Sequence, residues 1–215
     1  MKIGVFDSGI GGLSVARAVE NAFPDAEVVY RYDKEHFPYG GRQPAELLGF
    51  VVPILRQMAE DGCVCIVIAC NTVSTTLINE LRAEFSVPLI ALEPMVKPAV
   101  ELTKTGTIAV CATPATLASP RYKELKKLYA DGVDIIEPDC NDWAFMVENH
   151  TVDHQKIIYR VTAVCDAGAD VIVLACTHYH WIEDEIQKAA RQRAVVIQPE
   201  PAIIAQLTRV LARLP

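Results

Sequence analysis

Short β-branched runs alternate along the whole chain with longer stretches in which apolar residues recur at helical spacing. That alternation predicts strand-helix-strand units and a mostly parallel sheet, hence an α/β protein. Strands are predicted at 2–6, 27–32, 64–69, 89–92, 107–111, 133–137, 170–175 and 195–197. Helices are predicted near 11–22, 44–60, 73–85, 94–104, 120–130, 152–167, 180–193 and 201–213. Pro44 suits a first helical turn, and Ser119-Pro120 reads as an N-cap followed by proline. Gly62 and Gly168 suit a chain reversal ahead of a strand, while Pro53 is expected to kink or divide its helix.

A second pattern lies over the first, an internal echo at an offset of 105 to 106 residues. The run from Gly62 to Thr72 matches the run from Gly168 to His178, with a glycine eight residues before a cysteine in both. The stretch Ile3 to Ser8 likewise matches Ile108 to Thr113, which puts a hydroxyl just past the first strand of each half. Similarity among buried Val/Ile strands is the competing explanation, and the shared registers of glycine and cysteine argue against it. The echo predicts two pseudo-symmetric lobes, each a mostly parallel sheet flanked by helices, with the active site in the cleft between them. One lobe comprises residues 1–93 and about 199–215, carrying Asp7 and Cys70; the other comprises 94–198, carrying Thr113 and Cys176.

Composition narrows the function classes. With 215 residues, 51% hydrophobic and 22% charged, the chain has ample material for a core. Its formal net charge of −7 disfavours a nucleic-acid partner, because a phosphate backbone is repelled. The longest apolar runs, 64–69 and 171–175, fall far short of the roughly 20 residues that span a bilayer. An acid and a glycine cluster follow the N-terminus too closely for a signal peptide, so the expected location is cytoplasmic. Seven cysteines without an export signal predict free thiols rather than a disulfide framework, and five of them read as small core residues.

The other two, Cys70 and Cys176, end matching strands, and in open α/β sheets ligands sit beyond the carboxyl ends of the strands. Two facing lobes would bring these sulfurs to opposite sides of one small ligand. Racemising a carbon needs a base on one face and an acid on the other, and a symmetric pair of thiols supplies both. Asp7 is placed to assist one sulfur and His178 the other; singly, each reads more readily as a cap or a loop residue, and their joint placement at strand ends reverses that preference. Asp7-Ser8-Gly9-Ile10-Gly11-Gly12 fits neither the dinucleotide fingerprint, whose third glycine would fall at Ser14, nor a P-loop, which needs a lysine. The glycines read instead as letting backbone donors approach a small carboxylate, a tight structural turn being the alternative. Asn71-Thr72 and Thr177-His178 suit the same task, and Phe37-Pro38-Tyr39-Gly40-Gly41 reads as a rigid loop holding a tyrosine hydroxyl over the cleft. Cys176, His178 and His180 are metal-ligand types, but no second cluster completes a site, so no metal is expected.

The segments Val5 to Leu13, Pro38-Tyr39-Gly40, Ala69-Cys70-Asn71-Thr72 and Cys176-Thr177-His178-Tyr179 resemble the motifs of the glutamate racemases, within the cofactor-independent aspartate/glutamate racemase superfamily. The resemblance spans nearly the whole chain. It implies an isomerase that interconverts L- and D-glutamate without a cofactor, supplies D-glutamate for peptidoglycan and forms a homodimer. It further implies that Cys70 takes the proton from D-glutamate and Cys176 from L-glutamate, assisted by Asp7 and His178, with Glu148 the acid near the second thiol. Asp7, Ser8, Pro38, Tyr39, Gly40, Asn71, Thr72, Thr113, Thr116, Thr177 and His178 would by the same resemblance bind substrate.

The chain also departs from that pattern. It is shorter than most of the family, Tyr32-Asp33-Lys34 stands where Gly-Asp-Thr is usual, His180 replaces a proline, and Cys140-Asn141-Asp142-Trp143 is more polar than its counterpart. The two thiols are untouched, so racemisation is better supported than glutamate as substrate. Racemisation of aspartate or another small amino acid stays open. So do a hydrolase or transferase using Cys176 with His178, and a catalytically silent amino-acid-binding module.

Overall fold

The structure, a computed structural model, describes residues 1–214; Pro215, grouped above with the first lobe, lies outside the described residues. It contains two four-stranded parallel sheets. The first joins β1 (Lys2–Asp7), β2 (Glu27–Tyr32), β3 (Cys63–Ile68) and β4 (Leu89–Ala91) in the order β2-β1-β3-β4. The second joins β5 (Thr107–Ala112), β6 (Asp134–Ile136), β7 (Val171–Ala175) and β8 (Val195–Ile197) in the order β6-β5-β7-β8. The echo is a structural one: Gly4 pairs with Ile66 in the first sheet as Ala109 pairs with Ile172 in the second. Every residue of β7 is buried, as a central strand covered by helices on both faces requires.

The helices are α1 (Leu13–Ala22), α2 (Pro44–Glu60), α3 (Asn71–Glu84), α4 (Val96–Leu102), α5 (Pro114–Ala118), α6 (Pro120–Tyr129), α7 (Trp143–Glu148), α8 (His154–Asp166), α9 (Glu183–Ala190) and α10 (Glu200–Leu211), with 3₁₀ turns at Ile10–Gly12 and Thr177–Ile182. Ser119 caps α6 by accepting from the Tyr122 amide, a contact worth about 1 kcal/mol. Gly62 and Gly168 sit at φ +89° and +100°, the left-handed backbone that their position ahead of β3 and β7 demands. Ile203 and Leu207 of α10 share a core with Ile3 and Val5 of β1 and with Val15 and Val19 of α1. Val96 and Ala99 of α4 pack instead with Ile108, Val110 and Val173 of the second sheet.

The structure departs from the expected elements in three places. Of the kink or division expected at Pro53, division does not occur: helix α2 runs through it, because Leu47, Val51, Leu55 and Met58 bury one continuous face that outweighs a missing hydrogen bond. The helix predicted at 180–193 is a 3₁₀ turn followed by α9, which ends early because Arg191 and Gln192 turn left-handed. Helices α5 and α7, of five and six residues, were not anticipated; they are too short to show a helical period.

Candidate active site

The chemistry gathers where β1, β3, β5 and β7 end. Asp7 closes β1, Cys70 follows β3 and precedes α3, Thr113 follows β5 as the N-cap of α5, and Cys176 follows β7 ahead of the 3₁₀ turn. The carboxyl edges of the two sheets thus face one cavity of about 240 Å³. Cys70 and Cys176 both line it, and each is almost fully buried. Ser8, Pro38, Tyr39, Gly40, Asn71, Thr72, Thr113, Thr177 and His178 line the same cavity, as does Asp7.

Two of the residues singled out in the sequence lie outside that lining. Thr116 is fully buried; its hydroxyl accepts from Thr113 Oγ1 at 3.0 Å and its amide donates to the same atom. Glu148 stands behind His178, with Oε2 2.8 Å from Nε2 of that ring and 2.9 Å from the Ile10 amide. Conversely Phe37, Gly41, Pro114, Asn141, Ala144 and Phe145 complete the wall. Of these, Ala144 and Phe145 belong to α7, so the sequence offered no helix from which to place them.

The two ends of the cavity differ electrostatically. On one side Cys70 Sγ donates to Ser8 Oγ at 3.5 Å, and burial together with the charge of Asp7 pushes its thiol up to about 12. Asp7 is itself fully buried, and burial raises its carboxyl against the pull of the His178 charge and of donors on Ser8, Thr177 and Gly12. On the other side His178 Nδ1 lies 3.9 Å from Cys176 Sγ. Burial opposes a charge on this ring, but hydrogen bonds with Cys176 and Glu148 and the charges of Cys176 and Asp7 prevail, and its pKa is pushed up to about 10. Burial likewise opposes ionisation of Glu148, yet the His178 and Ile10 donors hold its carboxyl below the usual range.

Three buried polar atoms at the cavity, Asp7 Oδ1 and both Asn71 side-chain atoms, have no hydrogen-bond partner among the described residues. Leaving such a group unpaired costs about 1–3 kcal/mol, which a polar ligand offering donors and acceptors would recover. Neither lysine nor arginine lines the cavity among the described residues, so a carboxylate there meets hydroxyls and amides such as those of Ser8, Thr72, Thr113 and Thr177. Among the described residues no group of three or more metal-ligating side chains is assembled.

The glycine turn has a different job from the one expected. The Gly12 amide donates to Asp7 Oδ2 at 2.5 Å and the Ile10 amide to Glu148, so these donors serve protein carboxylates rather than a ligand. Glycine is required because the turn packs on the opposite lobe: a Cβ on Gly11 would meet His178 Nδ1 at 2.6 Å and Thr177 Oγ1 at 2.7 Å. The Tyr39 hydroxyl likewise gives its proton to a protein carboxylate, donating to Asp33 Oδ2 at 2.6 Å.

The family model for Asp/Glu/Hydantoin racemase matches residues 13–207. The chain belongs to that family. A glutamate racemase of Roseiflexus sp. (strain RS-1) is 34% identical over 214 residues, an alignment covering 97% of this chain and 79% of that one. The crystal structure of Escherichia coli glutamate racemase with L-glutamate and the activator UDP-MurNAc-Ala superposes with a TM-score of 0.86 at 26% identity, covering 99% of this chain and 82% of that one. Francisella tularensis glutamate racemase in complex with D-glutamate gives a TM-score of 0.80, also at 26% identity, covering 98% and 81%. Membership makes the chain an isomerase with the two-lobed α/β racemase fold. No helix among the described residues is long and apolar enough to cross a membrane.

Proposed function

We propose that the protein interconverts L- and D-glutamate, with Cys70 and Cys176 as the acid/base pair and the cavity between the lobes as the site. One observation carries the assignment of roles: the two sulfurs, one from each lobe, line a single small cavity together with unpartnered Asp7 and Asn71 atoms. The ammonium group of the substrate suits Asp7 Oδ1 and Asn71 Oδ1, and its carboxylates suit donors such as the Ser8 hydroxyl and the unpartnered Asn71 Nδ2. Thr116 acts by fixing the Thr113 hydroxyl.

In the L-to-D direction the Cys176 thiolate removes the Cα proton, and the C–H electron pair spreads into the α-carboxylate. The Cys70 thiol then delivers its proton to the opposite face. Burial and the Asp7 charge keep Cys70 in the protonated form that this step requires. When Cys176 is instead the donor, in the D-to-L direction, His178, protonated and backed by Glu148, can return the proton it gives up. In the D-to-L direction the roles exchange, and an ammonium group arriving beside Asp7 and Cys70 would ease loss of the Cys70 proton. The product, D-glutamate, is the one needed for peptidoglycan. As the resemblance implies, the working form is a cytoplasmic homodimer.

The test is proton NMR in heavy water with no cofactor added. L- and D-glutamate are expected to acquire deuterium at Cα while the optical rotation decays to zero. Cys70→Ser and Cys176→Ser are each expected to lower interconversion by about 10²–10⁴-fold, the usual worth of a general acid or base. A folded wild type that leaves the Cα proton of glutamate in place refutes the reading; activity that survives Cys70→Ser refutes the two-thiol mechanism.

A further inference from the structure

The His180 side chain is buried and is not needed by the chemistry above. It lies in the 3₁₀ turn that carries Thr177 and His178, and it reaches away from the cavity. Its Nδ1 is 3.0 Å from Ser14 Oγ of α1 and 3.1 Å from Glu200 Oε1 in the first turn of α10. Burial opposes ionisation of Glu200, but the hydrogen bond with His180 keeps it a carboxylate, so it can only accept. Ser14 can place its own proton on the Gly11 carbonyl, 3.3 Å away, which leaves its oxygen to accept as well. The proton of the ring therefore sits on Nδ1, shared by two acceptors, and Nε2 is buried without a partner.

This contact closes a circuit between the halves of the site. The Gly11 carbonyl takes a second donor, Trp181 Nε1 at 3.2 Å, from the residue next to His180. The backbone of Gly11 packs directly on the His178 ring and the Thr177 hydroxyl, and the next amide, that of Gly12, holds Asp7. Thr177 Oγ1 donates to the same Asp7 oxygen at 3.0 Å. The two turns thus meet with no slack, and Ser14, His180 and Glu200 brace them from behind.

We propose that His180 is a positioning residue for the proposed racemisation: by holding Ser14 and Glu200 together it fixes the glycine turn against Thr177-His178, and so sets Asp7 and His178 relative to the two sulfurs. The proline of the resembled motif has no donor for this contact. The inference rests on the functional reading for its kinetic arm only. His180→Ala is expected to lower kcat about tenfold with KM changed less than about twofold, since misplacement by a fraction of an ångström costs turnover before binding. His180→Asn, which keeps an N–H near the Nδ1 position, is expected to regain most of that loss, and Ser14→Ala to show a smaller loss of the same kind.

The arm independent of activity is imidazole nitrogen-15 NMR of the substrate-free protein. Ser14→Ala and His180→Asn are expected to leave the fold intact, and Ser14→Ala to move the His178 nitrogen resonances while His180→Asn moves them less. Unmoved His178 resonances in Ser14→Ala overturn the inference, even for a protein inactive on glutamate. So does a His180→Ala protein that keeps wild-type kcat, or one that Asn matches in loss. Wild-type inactivity on glutamate would count against the functional reading alone.

Discussion

Among single residues, His178 couples the site most directly to the stability of the chain. Its ordinary pKa is 6.5; in the fold, burial works against the charge, but Glu148, Cys176 and Asp7 push it up to about 10. A group whose folded pKa is raised contributes stability that is fully present below its unfolded value and disappears as the pH climbs through the folded one. The window is therefore about pH 6.5 to 10. Urea midpoints of the wild type and His178→Gln, measured every half unit from pH 6 to 10.5, are expected to differ most at the acid end and to converge near the alkaline end. A constant difference across that range would show that the ring is not held protonated. The same charge serves catalysis, because an imidazolium 3.9 Å from Cys176 is a proton source within one movement of the sulfur.

At the scale of elements, the 3₁₀ turn Ile10–Gly12 decides more than its three residues suggest. A methyl on Gly11 would press on a backbone nitrogen, His178 N at 2.7 Å, which cannot swing aside. Gly11→Ala is expected to cost about 1–3 kcal/mol by overpacking and to lower kcat/KM at least tenfold. Gly49→Ala is the control: this glycine lies inside α2 with nothing within 4 Å of a new Cβ, so the substitution is expected to stabilise by about 0.5–1 kcal/mol and leave turnover unchanged. Denaturant titration and steady-state rates measure both. Elements also show what the sequence could and could not carry. Strands such as β3 and β7 were legible because a strand buried on both faces is written as an unbroken Val/Ile/Cys run, and their cysteines and glycines kept the duplicated register. Helix α7 was not, so Ala144 and Phe145 of the cavity wall went unassigned. The glycine turn was found but its partner was not, since the contact between Thr177 and Asp7 spans 170 residues and leaves no local pattern.

For the whole molecule, the central consequence is that neither lobe owns the site. Each sheet has cores on both faces, so each lobe has the material of an independent folding unit. Near the cavity they are joined by apolar packing of Ile10 and Phe37 on the core of the second lobe and by a set of polar contacts: Thr72 Oγ1 to Thr113 Oγ1 at 3.0 Å, the Ala115 amide to the Gly40 carbonyl at 3.2 Å, Thr177 to Asp7, and the Ile10 amide to Glu148. A ligand that contacts Asn71 from one side and Thr113 or Thr177 from the other adds to that set of cross-links, and can bind only when both lobes are folded and apposed. Its stabilisation must then reach the entire chain: at 100 times Kd, linkage gives about 2.7 kcal/mol. For a chain of this size that corresponds to a rise in Tm of about 5–10 °C. Scanning calorimetry with D- or L-glutamate is expected to show the whole heat-absorption peak moving together. If the peak splits and only one component moves, the ligand is held by a single lobe, and the cavity between the sheets is not where it binds.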